Sequence, residues 1–423
     1  MLIALVAALF AAPVQVAAIN DGNALTLPAG RHVVRIAAGG GRPAAWLAAI
    51  QQDGAGGHAL GFYRSDDEAQ SWTYYAPIQD NPAETDRVDL LAVGNDIALV
   101  YSYEGPTITQ SALHSVYFQW WRYDGKGGWN PSAPVTVLQA AGDSSNAYLR
   151  GELAIDSAGR IWVQAMRLEP DGTITVCMAV STNGGASFTQ QPSLGSFADR
   201  PGGRILSLGS RMMLLYSTHG VDPGYMRLRN DSDPIGSWGP AQQVFPEGIY
   251  HGAALSAVGD GSGGVHLVYK DVNETTWYRF FDGSGWSGRT QIEANPDWAT
   301  QSAVTRIGSD VLVFWNHPVS TNTDYRYRYA LIHGGSIGAA VTLDDSPGFK
   351  GYPAAAEVLP PSVPRVPCFY GSTPDANSNG TANVVYGATP GGGAADAGTP
   401  DAGTPDAGPP DAGPPDEIGR AHV

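Results

Sequence analysis

The sequence predicts an all-β fold: a β-propeller of seven blades, with six as the alternative. Three observations predict it. Glycine (54) and proline (31) are frequent and charged residues make up only 15%, which suits many short strands joined by tight turns. No long segment carries apolar residues at helical spacing. The body repeats at about 45–55 residues, a period typical of propeller blades.

Each repeat holds a small apolar strand, a turn, a strongly apolar second strand, a third strand, and a turn ending in Trp or Phe. The second strands align as AAWLAAI (44–50), IALVYSY (97–103), RIWVQAM (160–166), MMLLYST (212–218), GVHLVYK (264–270) and VLVFWNH (311–317). The turns before them, such as Gly94-Asn95-Asp96 and Gly261-Ser262-Gly263, are rich in residues that tolerate positive φ. Six units run from Arg31 to Asp345. A seventh has three strands (352–358, 365–371 and 382–388), and an N-terminal strand at 23–29 is expected to supply the fourth and close the ring.

The body is therefore assigned to residues 19–390. Residues 1–18, MLIALVAALFAAPVQVAA, read as a signal peptide. Residues 391–416 form a Pro/Asp/Gly/Ala repeat with nothing to bury, expected to be a disordered linker like those that tether bacterial surface proteins to the envelope. Residues 417–423, EIGRAHV, read as a translated sequencing adapter. The expected location is secreted or at the cell surface of a bacterial envelope.

The formal net charge is −16, and the tail beyond Pro390 supplies five Asp, one Glu and one Arg of it. Such a chain is not expected to bind nucleic acid or an anionic membrane. Cys177 and Cys368 lie in apolar strand-like runs and read as buried thiols. The nine histidines are scattered, so neither a metal nor another cofactor is expected. A closed ring has no edge to pair, which makes a monomer the expected state.

Five turns follow the pattern Ser-x-Asp-x-Gly-x-Ser/Thr-Trp/Phe to varying degrees. Ser65-Asp66-Asp67-Glu68-Ala69-Gln70-Ser71-Trp72 fits except for Ala69, and Ser181-Thr182-Asn183-Gly184-Gly185-Ala186-Ser187-Phe188 fits with Asn for Asp. Looser forms are 124–129, 232–238 and 282–286. In such turns the short polar side chain accepts turn amides, glycine takes the left-handed position and the ring packs on the blade. These turns resemble the Asp boxes (BNR repeats) of the sialidase superfamily, and the resemblance covers about residues 23–390. It implies that the turns are structural and lie on the face opposite the active site.

Propeller geometry brings the starts of first strands and the ends of second strands to one mouth of the channel. Candidate residues there are Arg87, Arg150, Arg167, Arg204, His219, Trp298 and His317 for substrate binding. Tyr250, His251 and Glu152 are the candidate catalytic residues. Aromatic faces stack on sugar rings and arginines grip carboxylates, so an acidic oligo- or polysaccharide is the expected partner.

Three function classes remain open. The superfamily resemblance implies a glycoside hydrolase with an Arg clamp (Arg150, Arg204 and Arg87) and a Tyr/Glu pair drawn from Tyr250 or Tyr103 and Glu152 or Glu104. The sequence departs from that pattern at Val33-Val34-Arg35-Ile36-Ala37, where a sialidase shows Phe/Tyr-Arg-Ile-Pro; Asp53 is the one nearby candidate for the acid. A uronate polysaccharide lyase would use Tyr250 and His251 with Arg150 or Arg204 as neutraliser. A non-catalytic glycan-binding surface protein is the third class.

Overall fold

The computed structural model describes residues 12–389, apart from 20–23, 26–28, 40–41, 55–56, 80–86, 103–113, 141–146, 198–201, 218–222, 250–253, 295–300, 321–322 and 376–377. Seven sheets surround one axis, and the described residues contain no helix. The chain is thus a seven-bladed β-propeller.

Blade one comprises Val33–Ile36, Ala45–Gly54, Gly57–Ser65 and Thr73–Gln79, from the axis outward. Blades two to six repeat this order, starting from the inner strands Arg87–Val93, Ala147–Ile155, Gly202–Ser207, Leu255–Gly259 and Ser302–Ile307. The second strands are apolar on both faces because another blade lies on each side. Met212–Tyr216, for instance, is buried throughout. The apolar core is accordingly a series of clusters, most of them seated between adjacent blades. One joins Leu47 and Phe62 of blade one to Leu99 and Trp121 of blade two; the next joins Val100 to Val163 of blade three. Burying one such large side chain contributes about 1.5–3 kcal/mol.

Blade seven closes the ring with both ends of the chain. Its sheet contains Phe349–Lys350, Arg365–Thr373, Gly380–Ala388 and, outermost, Val14–Ile19. The closing strand is therefore N-terminal, as expected, but it is not the 23–29 segment. Val14 pairs with Val384 and Ile19 with Gly380, so the strand occupies the end of the stretch read as a leader. The alternating VQVAAI pattern, with Val16, Ala17 and Ile19 buried, is the signal that hydrophobicity alone concealed. Ala24 and Leu25 form a turn instead.

The five Trp/Phe turns connect third to fourth strands. In the first, Ser65 Oγ donates to Asp67 Oδ1 at 2.6 Å, and Asp67 Oδ1 accepts the amides of Gln70 and Ser71 at 3.0 and 2.9 Å. The Ser181 turn repeats this, with the Ser187 amide on Asn183 Oδ1 at 3.0 Å. Each turn's ring reaches the preceding blade. Trp72 meets Phe369 of blade seven at 5.2 Å, Trp129 meets Tyr75 at 6.3 Å, Phe188 meets Phe118 at 5.4 Å and Trp238 meets Trp162 at 5.9 Å. Trp286 donates to Met226 Sδ at 3.2 Å.

Candidate functional site

Inner strands alternate sides, so Arg87 and Asp89 of blade two share one face. Around Asp89 the structure assembles an ionic hub from separate blades. Arg31, just before the first inner strand, grips Asp89 with two bonds, Nε to Oδ1 at 2.8 Å and Nη2 to Oδ2 at 2.6 Å. Its Nη1 donates to Glu357 at 2.6 Å and its Nη2 also to the Leu153 carbonyl. Glu357 sits on the inner segment that links blades six and seven, where its carbonyl accepts the Arg306 amide. Arg204 of blade four donates to the Ala29 carbonyl at 2.8 Å and lies 3.2 Å from Asp89 and 3.4 Å from Glu357. The Asp89 carboxylate also accepts the Arg31 and Leu153 amides, each at 2.8 Å.

The charges of this hub divide. Burial would raise the Asp89 carboxyl, but Arg31 and Arg204 overcome it and hold Asp89 below the ordinary 3.8. Glu152 is pushed well above 4.5, first by burial and then, against the pull of Arg204, by the Asp89 charge. Burial and then Arg87 lower the His32 imidazole to about 4, so it is neutral. A small pocket lies against the hub, with Arg31, Arg204, Glu357, Ser256, Ala303 and Ala354 in its wall.

The candidate residues separate into groups. Glu152 and Arg204 meet in the hub but are only 4% and 2% exposed. Arg87 is partly buried at the start of its inner strand, close enough to His32 to depress it. Arg150 sits in a bulge at φ +55, an uncommon backbone state for a non-glycine residue. The next amide, Gly151, donates to Ser102 Oγ at 3.1 Å, and Ser102 is the strand partner of Arg87. The backbones at Arg87 and Arg150 thus lie near one another, across Ser102. Arg167 pairs instead with Glu169 at 2.6 Å, and His317 lies 3.2 Å from Glu293 on the outermost strand of blade five, beside Arg328. Tyr250, His251, His219 and Trp298 lie outside the described residues, as do Tyr103 and Glu104.

The hub residue least visible from sequence is Glu357. Its strand pairs parallel to blade six across a long connection, and no repeat position marks it. Arg31 and Asp89 stood at the expected mouth, but their mutual pairing over 58 positions had no local signal. Among the described residues no group of three or more His, Cys, Asp or Glu is arranged to hold a metal, and no helix is long and apolar enough to cross a membrane. Cys177 and Cys368 are both free and buried.

No family model and no curated protein matches the chain. Among solved structures it is similar to the BP39L lectin from Burkholderia pseudomallei, at 15% identity and a TM-score of 0.55, over 86% of this chain and 97% of the lectin. It is similar also to a PL25 ulvan lyase, at 12% identity and a TM-score of 0.56, over 88% of this chain and 96% of the lyase. A Hadza microbial sialidase, Hz136, aligns at 13% identity and a TM-score of 0.45 over 68% of this chain; the alignment spans 63% of the sialidase, less than two thirds of its length. At these identities the likeness is one of fold.

Proposed function

We propose that this propeller recognises an acidic saccharide at the mouth of its ring and does so as a binding module, a distant member of the Asp-box superfamily displayed outside the cell. One observation carries the reading: Asp89 and Glu152, two of the carboxyls nearest the axis, are buried, while Arg87 and Arg150 of the same inner strands are only partly so. Arg31, Arg87, Arg150 and Arg204 come from the inner regions of successive blades. A glycosidase that works through a carboxyl pair needs both groups at the bond being broken. Asp89 is 0% exposed and saturated with hydrogen bonds, and Glu152 is 4% exposed. Arg204, the centre of the expected clamp, already serves Ala29, Asp89 and Glu357. Arg87 and Arg150 are only partly buried, and their guanidinium groups suit a carboxylate or sulfate. The lectin and lyase likenesses fit a glycan partner in general terms.

The test is to incubate the full chain with a glycan array, with sialosides and with uronate polymers. Binding to acidic glycans, with neither free sialic acid nor unsaturated uronate released, supports the proposal. Release of sialic acid, or new ultraviolet absorbance from an unsaturated uronate, overturns it in favour of hydrolysis or of elimination through Tyr250 and His251. Arg87→Ala and Arg150→Ala should each weaken acidic-glycan binding about tenfold while leaving the unfolding midpoint within the range of ordinary surface changes.

A further inference from the structure

The seam between blades three and four contains polar atoms that the protein itself does not satisfy. Glu152 and Gln164 are direct strand partners, so their side chains share one face. Gly203 of blade four packs against that face: a methyl group built on it would lie 2.6 and 2.9 Å from the Gln164 amide nitrogen and oxygen. Arg204 follows immediately, and its charge is the largest favourable influence on the Glu152 carboxyl. Within this small region Glu152 Oε2, Gln164 Nε2, Gln164 Oε1 and Arg204 Nε are all buried and find no hydrogen-bond partner in the protein. Gln164 is 0% exposed.

Buried polar groups in folded proteins are nearly always bonded, and each one left unpaired weakens the folding equilibrium by about tenfold or more. Four on one seam would be an unusual burden. Their chemistry is also complementary to one molecule. Arg204 Nε and Gln164 Nε2 donate, Gln164 Oε1 accepts, and Glu152 Oε2 accepts or donates according to where its proton lies. Water supplies two donors and two acceptors, and buried water characteristically makes about three such bonds.

We infer that the Glu152–Gln164–Arg204 seam is a resident-water site, and that this water completes the ionic hub by joining blade three to blade four. Gly203 is part of the site because any side chain there would collide with the Gln164 amide and with the Leu215 carbonyl, 2.5 Å from the added carbon. The inference uses neither Arg87 nor Arg150, so it does not depend on the glycan-binding reading.

A crystal structure of the full chain at a resolution that orders internal solvent tests this directly. Water within hydrogen-bond distance of Glu152 Oε2 and of the Gln164 amide is the expected result. A dry seam, with these atoms turned onto protein partners, or a seam filled by another molecule, overturns it.

Discussion

The two ends of this ring are built by different rules. At the turn end, one short motif recurs, and its ring reaches the preceding blade in each case: Trp72 on Phe369, Trp129 on Tyr75, Phe188 on Phe118. At the axis an ionic hub is assembled instead: Arg31, Asp89, Glu152, Arg204 and Glu357 come from five places in the chain. Repetition makes the turn end redundant, since losing one clasp leaves the others in place. The hub has no such reserve, because Arg31 alone contacts partners in blade two, blade three and the inner segment of blade seven.

That contrast can be broken most directly at Arg31. Arg31→Ala should lower stability by about 3–5 kcal/mol, because it leaves Asp89 and Glu357 without their main partner. A loss below about 1 kcal/mol in urea unfolding would show that the hub is as redundant as the turns. Acid should reach both ends of the ring. His32 beside the hub and His266 at the turn end are both lowered by burial from 6.5 to about 4. Each therefore contributes stability that is present above pH 6.5 and lost as pH falls towards 4, on the order of 3 kcal/mol. Glu152 runs the other way: its raised value means a contribution present below 4.5 and lost as pH rises through its folded value. Thermal melts of His32→Gln and His266→Gln between pH 7 and 4.5 should each flatten part of the acid limb and so apportion it between the two ends.

The turns themselves offer a finer comparison. Gly185 has φ +91, and an added methyl would lie 2.3 Å from the Phe118 ring. Gly185→Ala should cost about 2 kcal/mol by denaturant unfolding. The matching position in blade one is Ala69, held at φ +70 with its amide on Ser65 Oγ. Ala69→Gly should relieve that strain and raise stability by less than about 1 kcal/mol, since the lost burial of a methyl offsets part of the gain. Equal effects of opposite sign at the two sites would mean that the Phe118 ring yields readily.

The same division explains what could be read from the sequence. The blades were legible because a doubly buried second strand leaves a continuous apolar run, as at 97–103 and 160–166, and because positive-φ turns demand particular residues. The closing strand was misplaced because VQVAAI is as apolar as a leader, and only its partner Val384 reveals its role. The hub is not legible, since polar residues at strand starts look alike until their neighbours across the channel are known; Arg204 and Glu152 read from sequence as a substrate-binding and a catalytic candidate, although both are buried. Arg167 pairs with Glu169 and His317 with Glu293 of the preceding blade, partners that the repeat pattern does not reveal.

The pairing of Val14–Ile19 with Gly380–Ala388 has a consequence for how the molecule is made. A chain emerging from the ribosome, or threading through an export pore, completes six blades before the partner of its first strand exists. Until then that strand is an unpaired apolar ribbon waiting on the slowest, longest-range contact in the topology. Maturation should thus end with a single late step in which the two extremities of the body zip together. Any truncation that trims Val14–Ile19 would leave a ring that forms but does not lock.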